Sequence, residues 1–248
     1  MKNIFNTISC LGYTVYADSL NKVSIKEKAL ISTINQYSYC IAKEDVDFKE
    51  SLKKSEILLP DGVAIVWATR LLTGKRIKKI AGADIHSYLL NEANLNNGSC
   101  FYLGATDETL GKIIKRVNDE YPNIKVGSYS PPYKPQFSDS DNKEMLKAIN
   151  DFKPDVLFVG MTAPKQEKWA YALKDQIDAN VICSIGAVFD FYAGTVKRPG
   201  KLAINLGMEW LLRLLKEPRR LWRRYLYYGP IFLYEIFMIK FKRRVIPS

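Results

Sequence analysis

The sequence predicts an α/β protein with a mostly parallel sheet flanked by helices. Short apolar runs alternate with segments of helical period over the first 200 residues, the pattern of parallel strands joined by crossover helices. A chain of 248 residues with 47% hydrophobic content is long enough to bury one large core. Several of the apolar runs end in unusual turn residues, and such ends are where folds of this kind bind ligands.

The elements follow in chain order. CLGYTVYADSL, residues 10–20, reads as an edge strand or hairpin, and ALISTI (29–34) as the first apolar strand. A helix is expected over 38–54, the strand EILL over 56–59, and helices over 62–74 and 83–96. SCFYLG (99–104), a helix over 106–120 and IKVGSY (124–129) come next. The series closes with a helix over 140–151, DVLFVG (155–160), a helix over 164–177 and NVICSIG (180–186). No repeat, low-complexity tract or linker interrupts the chain before residue 200, so we expect a core over 1–200 and a C-terminal appendage over 201–248.

Charge marks that appendage. Of the formal net charge of +11, residues 201–248 carry +8, leaving only +3 for the first 200. The stretch LLKEPRRLWRRYLYYGPIFLYEIFMIKFKRR holds two basic clusters around an apolar run of fourteen residues, Leu226 to Ile239. A spanning helix needs about 20 such residues. An interfacial element on an anionic surface fits better, with Tyr225, Tyr227, Tyr228 and Tyr234 near headgroup level and Lys240 to Arg244 against the lipid. A neighbouring subunit in a homo-oligomer is the alternative cover for the run. A nucleic-acid module would spread basic and aromatic residues along a groove, which this bracketed pattern does not do. Glu217-Pro218 is expected to end one helix and start another, bringing Arg220, Arg223 and Arg224 to helical neighbour spacings.

Other chemistries find little material. The four cysteines lack metal or redox spacing and suit a reducing compartment, and the N-terminal residues lack the long apolar core of a signal peptide. His86 is the only histidine, which leaves zinc sites and Ser-His-Asp triads without parts. The D-x-D pairs Asp45/Asp47 and Asp139/Asp141 follow no apolar strand and read as helix starts or helix surface.

The strand ends are more informative. In LLPDGVAIVWA a strand delivers Asp61, and Gly62 lets the chain turn into a helix. That aspartate is either a helix N-cap or a general base, ionised at neutral pH at an ordinary pKa of about 3.9. VGMTAPKQE and YLGATDE are strand-to-helix turns whose free N–H groups suit phosphate, Pro164 opening the helix of the first and Gly104 shaping the second. Asp190 in GAVFDFYAG lies among aromatic residues as a structural acceptor or a ligand group.

Taken together, STINQYSY, LLPDGVAIVWA, RIKKIAGADI, FYLGAT, VGMTAPKQEKW, IGAVFDFYAGTVKRP and GMEWLLRLLKEPRRLWRRY resemble the WecG/TagA/CpsF glycosyltransferases in order and spacing, over about residues 29–225. The resemblance implies a Rossmann-like core, no cofactor, and metal-independent inverting transfer from a UDP-sugar to a polyprenyl-diphosphate-linked acceptor on the cytoplasmic membrane face. It places Asp61 on the family's general base, with Thr33 and Asn35 on its T-x-N, and counts Thr33 with Asp61 as catalytic. Substrate contacts are implied for Asn35, Lys79, Gly104, Gln166, Asp190, Arg213, Arg220 and Arg223, the arginines closing over a diphosphate. Lys79 stands where many members have arginine, and VGMTAP and KRPGK depart from the commoner forms of their loops.

Overall fold

The computed structural model describes residues 5–197, 199–200 and 207–245. Arg198 and Lys201 of the departing KRPGK loop therefore lie outside the described residues. Strands β1 (Thr7–Cys10) and β2 (Tyr13–Tyr16) form an antiparallel hairpin of their own. The main sheet holds β3 (Ala29–Ile34), β4 (Ile57–Pro60), β5 (Ser99–Gly104), β6 (Lys125–Tyr129), β7 (Val156–Gly160) and β8 (Val181–Ser184). Their order is β4-β3-β8-β7-β5-β6, with every pairing parallel, so the fold is the expected α/β, Rossmann-like one. The strands read as continuous apolar runs because both faces are covered. One buried cluster joins Ile31, Tyr102 and Phe158 to Leu89 and Ile113, while another joins Leu157 and Ile182 to Met145, Trp169 and Ala170.

Most helices match the expected positions, but the one expected over 164–177 ends at Leu173, the loop after β8 holds a short helix, and one expected helix is divided. The single helix expected over 38–54 is two, α1 (Gln36–Ile41) and α2 (Val46–Lys53). The Asp45 carboxylate accepts from the Phe48 N–H at 2.9 Å, and an aspartate that caps a new helix ends the previous one. Helices α3 (Val63–Thr73), α4 (Gly82–Leu95), α5 (Asp107–Glu120), α6 (Asp139–Phe152), α7 (Lys165–Leu173) and α8 (Val188–Tyr192) complete the core. Both D-x-D pairs sit at helix starts, as expected: Asp141 closes a capping box with Ser138 and pairs with Lys134 at 3.0 Å. All four cysteines are buried thiols. His86 is buried against the Tyr102 hydroxyl at 2.7 Å, and burial pushes its imidazole down to about 3, so it is a neutral core residue.

The C-terminal segment is helical almost throughout. Helix α9 (Glu209–Lys216) ends at Glu217, and Pro218 opens α10 (Pro218–Trp222) at the first helical position, as expected. A π-helical turn over Arg223–Tyr227 leads directly into α11 (Tyr228–Val245). Pro230 lacks an N–H and crowds the carbonyl four residues back, and the wider π turn just before it accommodates that. Helix α11 is not simply a surface element: Phe232 and Ile236 are 1% and 0% exposed, packed among Tyr39, Leu58, Ile65 and Ala68. Glu235, the lone acid of the apolar run, accepts from the Tyr39 hydroxyl at 3.0 Å and meets Lys43 at 2.5 Å. The opposite face leaves Phe237 and Phe241 58% and 65% exposed. Among the described residues, no helix is long and apolar enough to cross a membrane.

Gly104 is fixed by its surroundings. At φ +125° a side chain is strained, and a Cβ there would lie far inside contact distance of the Gly160 carbonyl oxygen. Gly104→Ala is expected to lose about 3 kcal/mol or more of stability in a urea titration, strain and clash acting together. Gly111→Ala, with open space around it in α5, is expected to be neutral or stabilising by up to about 1 kcal/mol.

Candidate active site

Because the sheet is parallel, the carboxyl ends of its strands share one edge, and the loops that leave them meet there. The chain leaves β5 toward β6 on one side and β7 toward β8 on the other, so a crevice opens between the ends of β5 and β7. Gly104 and Gly160 meet at that point with no side chains between them. Along the same edge Asp61 N–H donates to Ile34 O at 2.9 Å, and Ile80 N–H donates to Pro60 O at 3.0 Å. Those two bonds hold the β3, β4 and Lys79 segments together.

Asp61 stands at the end of β4, with Gly62 at φ +113° turning the chain into α3. Gly62 rather than Asp61 occupies the N-cap position of that helix, and it makes no side-chain cap. The carboxyl group is sunk deeply enough that burial pushes its pKa above the usual range. Arg224, Lys79 and Arg213 oppose the rise, whereas Glu209 adds to it. The ordinary pKa expected from sequence is thus replaced by a raised one, which makes the carboxylate a stronger base.

The first turn of α7 carries a second acid. Pro164 is its N-cap, one position earlier than expected, and Lys165 is the first helical residue. Gln166 accepts from the Met161 N–H through Oε1 at 3.1 Å and donates from Nε2 to Glu167 Oε1 at 2.7 Å. The Gln166 amide is also wedged against Gly186, which a Cβ would bring within 3.3 Å of it. Glu167 is 3% exposed, and its Oε2 is buried with no hydrogen-bond partner among the described residues. Burial raises its pKa from 4.5 to about 7, against the lowering effects of the Gln166 bond and of Arg224.

The C-terminal segment supplies positive charge to this edge. Glu209 of α9 reaches Lys79 at 3.4 Å. The Arg213 guanidinium lies 5.1 Å from the centre of the Phe191 ring, and that of Arg224 lies 5.4 Å from Tyr37. Both distances are within cation–π range. The Nε atoms of Arg213 and Arg224 are buried without hydrogen-bond partners among the described residues. A guanidinium with unused donors beside a buried carboxylate is suited to hold an anion, diphosphate above all.

The residues expected from sequence divide accordingly. Asp61, Lys79 and Arg213 are brought together, and Asn35 lies against Gly62. Asn35 is also the N-cap of α1, its Oδ1 accepting from the N–H groups of Tyr37 and Ser38 at 3.0 and 3.1 Å. Thr33 is paired with Leu59 across β3 and β4, two residues from that cap. Gly104 lies at the crevice and Gln166 braces the loop after β7. The Asp190 carbonyl accepts from Val196 N–H and the Thr195 hydroxyl, closing the α8 turn. Arg220 is exposed and pairs with Glu217 at 2.5 Å, and Arg223 is also exposed. Arg224 instead turns toward Asp61 and Glu167. Sequence reading did not single out Glu167 or choose Arg224: the acid follows Gln166 in the P-K-Q-E run, and a π turn changes which arginine of the cluster faces inward.

The sequence profile described as "Glycosyl transferase WecG/TagA/CpsF family" matches residues 3–245. The chain belongs to this family. Relatives named "N-acetylglucosaminyldiphosphoundecaprenol N-acetyl-beta-D-mannosaminyltransferase" include one from Bacillus subtilis (strain 168), 34% identical over 86% of this chain and 82% of its own. Another, from Bacillus spizizenii (strain ATCC 23059 / NRRL B-14472 / W23), is 30% identical over 80% of this chain and 75% of its own. A third, from Staphylococcus aureus (strain MW2), is 30% identical over 80% and 74%.

The raised pKa of Glu167 has a stability consequence. Below about 4.5 the group is protonated in both folded and unfolded chains and costs nothing. As pH rises to about 7, only the folded state holds the proton, so folding loses up to about 3 kcal/mol, all of it present above pH 7. Glu167→Gln is therefore expected to gain stability relative to the parent as pH rises from 4.5 to 7.5. Thermal melts that show a constant difference would contradict the assigned burial.

Proposed function

We propose that this chain transfers a sugar from a UDP-sugar to a polyprenyl-diphosphate-linked sugar, with inversion and without a metal. The donor sugar is of the N-acetylmannosamine type or another hexose, and the product feeds a surface polysaccharide or teichoic-acid-type polymer. The observation that carries this reading is the convergence of Arg213, Arg224 and Lys79 on Asp61 at the carboxyl edge of the sheet. The names of the relatives, which specify a diphosphoundecaprenol-linked acceptor and mannosaminyl transfer, support it.

In this mechanism an acceptor hydroxyl attacks the anomeric carbon as the bond to UDP breaks on the opposite face. UDP leaves with the bonding electrons, and Asp61 takes the hydroxyl proton. Arg213, Arg224 and Lys79 stabilise the negative charge that grows on the diphosphate. Thr33, Asn35, Gly104, Gln166 and Asp190 line the pocket. Arg220 and Arg223, on the outer side of the same segment, serve the acceptor diphosphate at the membrane. The reading keeps residues 1–200 as the catalytic core and 201–248 as the docking appendage.

Membrane attachment is peripheral in this reading, on the cytoplasmic face. The outer surface of α10, the π turn and α11 presents Trp222, Leu226, Tyr227, Leu233, Phe237 and Phe241, an apolar band beside basic residues. A neighbouring copy of the chain is the competing cover for the same band.

Asp61→Asn is expected to keep UDP binding, read by calorimetry, while turnover falls by roughly 10²–10⁴-fold, the range for general-base catalysis. Near-normal turnover would remove Asp61 as the base. A Leu233→Ser, Phe237→Ser, Phe241→Ser protein leaves the buried Phe232 and Ile236 in place. Co-sedimentation with anionic phosphatidylglycerol vesicles is expected to fall at least tenfold; undiminished binding, or a change only in sedimentation-equilibrium mass, would favour the neighbouring copy.

A further inference from the structure

Glu167 has no part in the mechanism just described, yet it is a buried acid whose Oε2 has no hydrogen-bond partner among the described residues. Its surroundings show what holds it there. Gln166 is gripped at both ends: Oε1 takes the Met161 N–H at the close of β7, and Nε2 gives a hydrogen to Glu167 Oε1. An amide has one acceptor end and one donor end, so the carboxylate and the N–H together fix which way round it lies. Nε2 carries a second hydrogen, and the amide lies beside Gly186 and the Met161 carbonyl in the loops after β7 and β8.

We propose that Glu167 is a positioning residue which, in its ionised form, locks the Gln166 amide in the orientation that binds the donor sugar nucleotide. This deepens the proposed function and rests on its UDP-sugar reading. Protonation of Glu167 leaves Oε1 a neutral acceptor, so the charge-assisted bond from Gln166 Nε2 becomes a weaker neutral one. With that end held less tightly, the bond from Met161 N–H to Oε1 alone has to keep the amide from turning. Burial raises the Glu167 pKa to about 7, so this weakening falls near neutral pH.

The charges on the elements around Glu167 are accounted for. Arg224, on the π turn, favours the ionised form and thus the locked amide. Lys168, on α7 itself, turns to Asp45 and Asp47 at 3.0 and 4.0 Å. Lys165 lies over the Phe137 ring. On β8, Ile182 packs with Trp169 and Ala170 of α7, and Ser184, two residues on, shares that face. Its hydroxyl is buried without a partner among the described residues, as Glu167 Oε2 is. The layer between α7 and the sheet therefore holds two unsatisfied polar atoms, at least one of which gains when the carboxyl group changes state.

Two measurements on the full chain test the proposal, with Glu167→Gln as the variant because it keeps an acceptor oxygen and removes the titration. In nitrogen-15 spectra, the Gln166 side-chain NH₂ signal, assigned by its loss in Gln166→Met, is expected to move with a midpoint near pH 7 and to become pH-independent in Glu167→Gln. With UDP-N-acetylmannosamine as donor, the parent's donor KM is expected to rise about tenfold from pH 8 to pH 6, with a smaller change in kcat, and Glu167→Gln is expected to flatten the KM profile. A Gln166 signal that does not titrate, or one that titrates unchanged in Glu167→Gln, overturns the proposal. So does a KM profile that keeps its inflection in the variant. An absence of turnover with every UDP-sugar defeats the donor reading instead, and the amide titration still decides the coupling of Glu167 to Gln166.

Discussion

Two carboxyl groups stand at the carboxyl edge of the sheet, Glu167 buried and Asp61 partly exposed; burial disfavours the charge of both, and positive charge must be brought to them. A carboxylate without such a partner is driven toward its neutral form. Arg224 acts on both acids, and Lys79 and Arg213 act on Asp61. Lys79 comes from the core and the two arginines from the C-terminal segment, so all of this charge reaches Asp61 only when that segment lies at this edge of the sheet. Much of the rest of the molecule can be read as the means of putting it there.

The anchor is hydrophobic. Phe232 and Ile236 lie one helical turn apart on α11 and enter the cluster built by β4, α1 and α3. Full burial of two such side chains is worth about 1.5–3 kcal/mol each, more than an exposed arginine–carboxylate pair contributes. Glu235 between them is satisfied by Tyr39 and Lys43, so the anchor carries no unpaired charge. The two faces of α11 differ: the inner one packs on the protein, while the aromatic residues of the outer one are exposed. Removing the helix would therefore damage the core along with any membrane contact, and substitutions on the outer face are the cleaner probe.

Much of this was visible in the sequence because parallel strands are apolar along their whole length and their turn residues mark the ends. ALISTI and SCFYLG were placed to the residue, and the Asp61 and Gln166 loops were found by their position after strands. The split of α1 from α2 escaped because a single Asp45 cap decides it, against an otherwise continuous helical pattern. Arg224 escaped for a geometric reason: on an α-helix Arg220, Arg223 and Arg224 share one sector about 100° wide, and the π turn that begins at Arg223 is not legible in the sequence. Glu167 escaped because nothing in the run P-K-Q-E reveals that the acid, usually solvated in a helix's first turn, is buried.

The C-terminal segment brings the charge of Arg224 to Asp61. The most direct test is the pH dependence of kcat/KM, measured in a Glu167→Gln background so that Asp61 titrates alone, with and without Arg224→Met. Arg224 lowers the Asp61 pKa, so its removal should move the acid limb of the profile to higher pH as well as reduce the plateau. An acid limb that stays in place would contradict the account, because it would mean that Arg224 and Asp61 do not share a site.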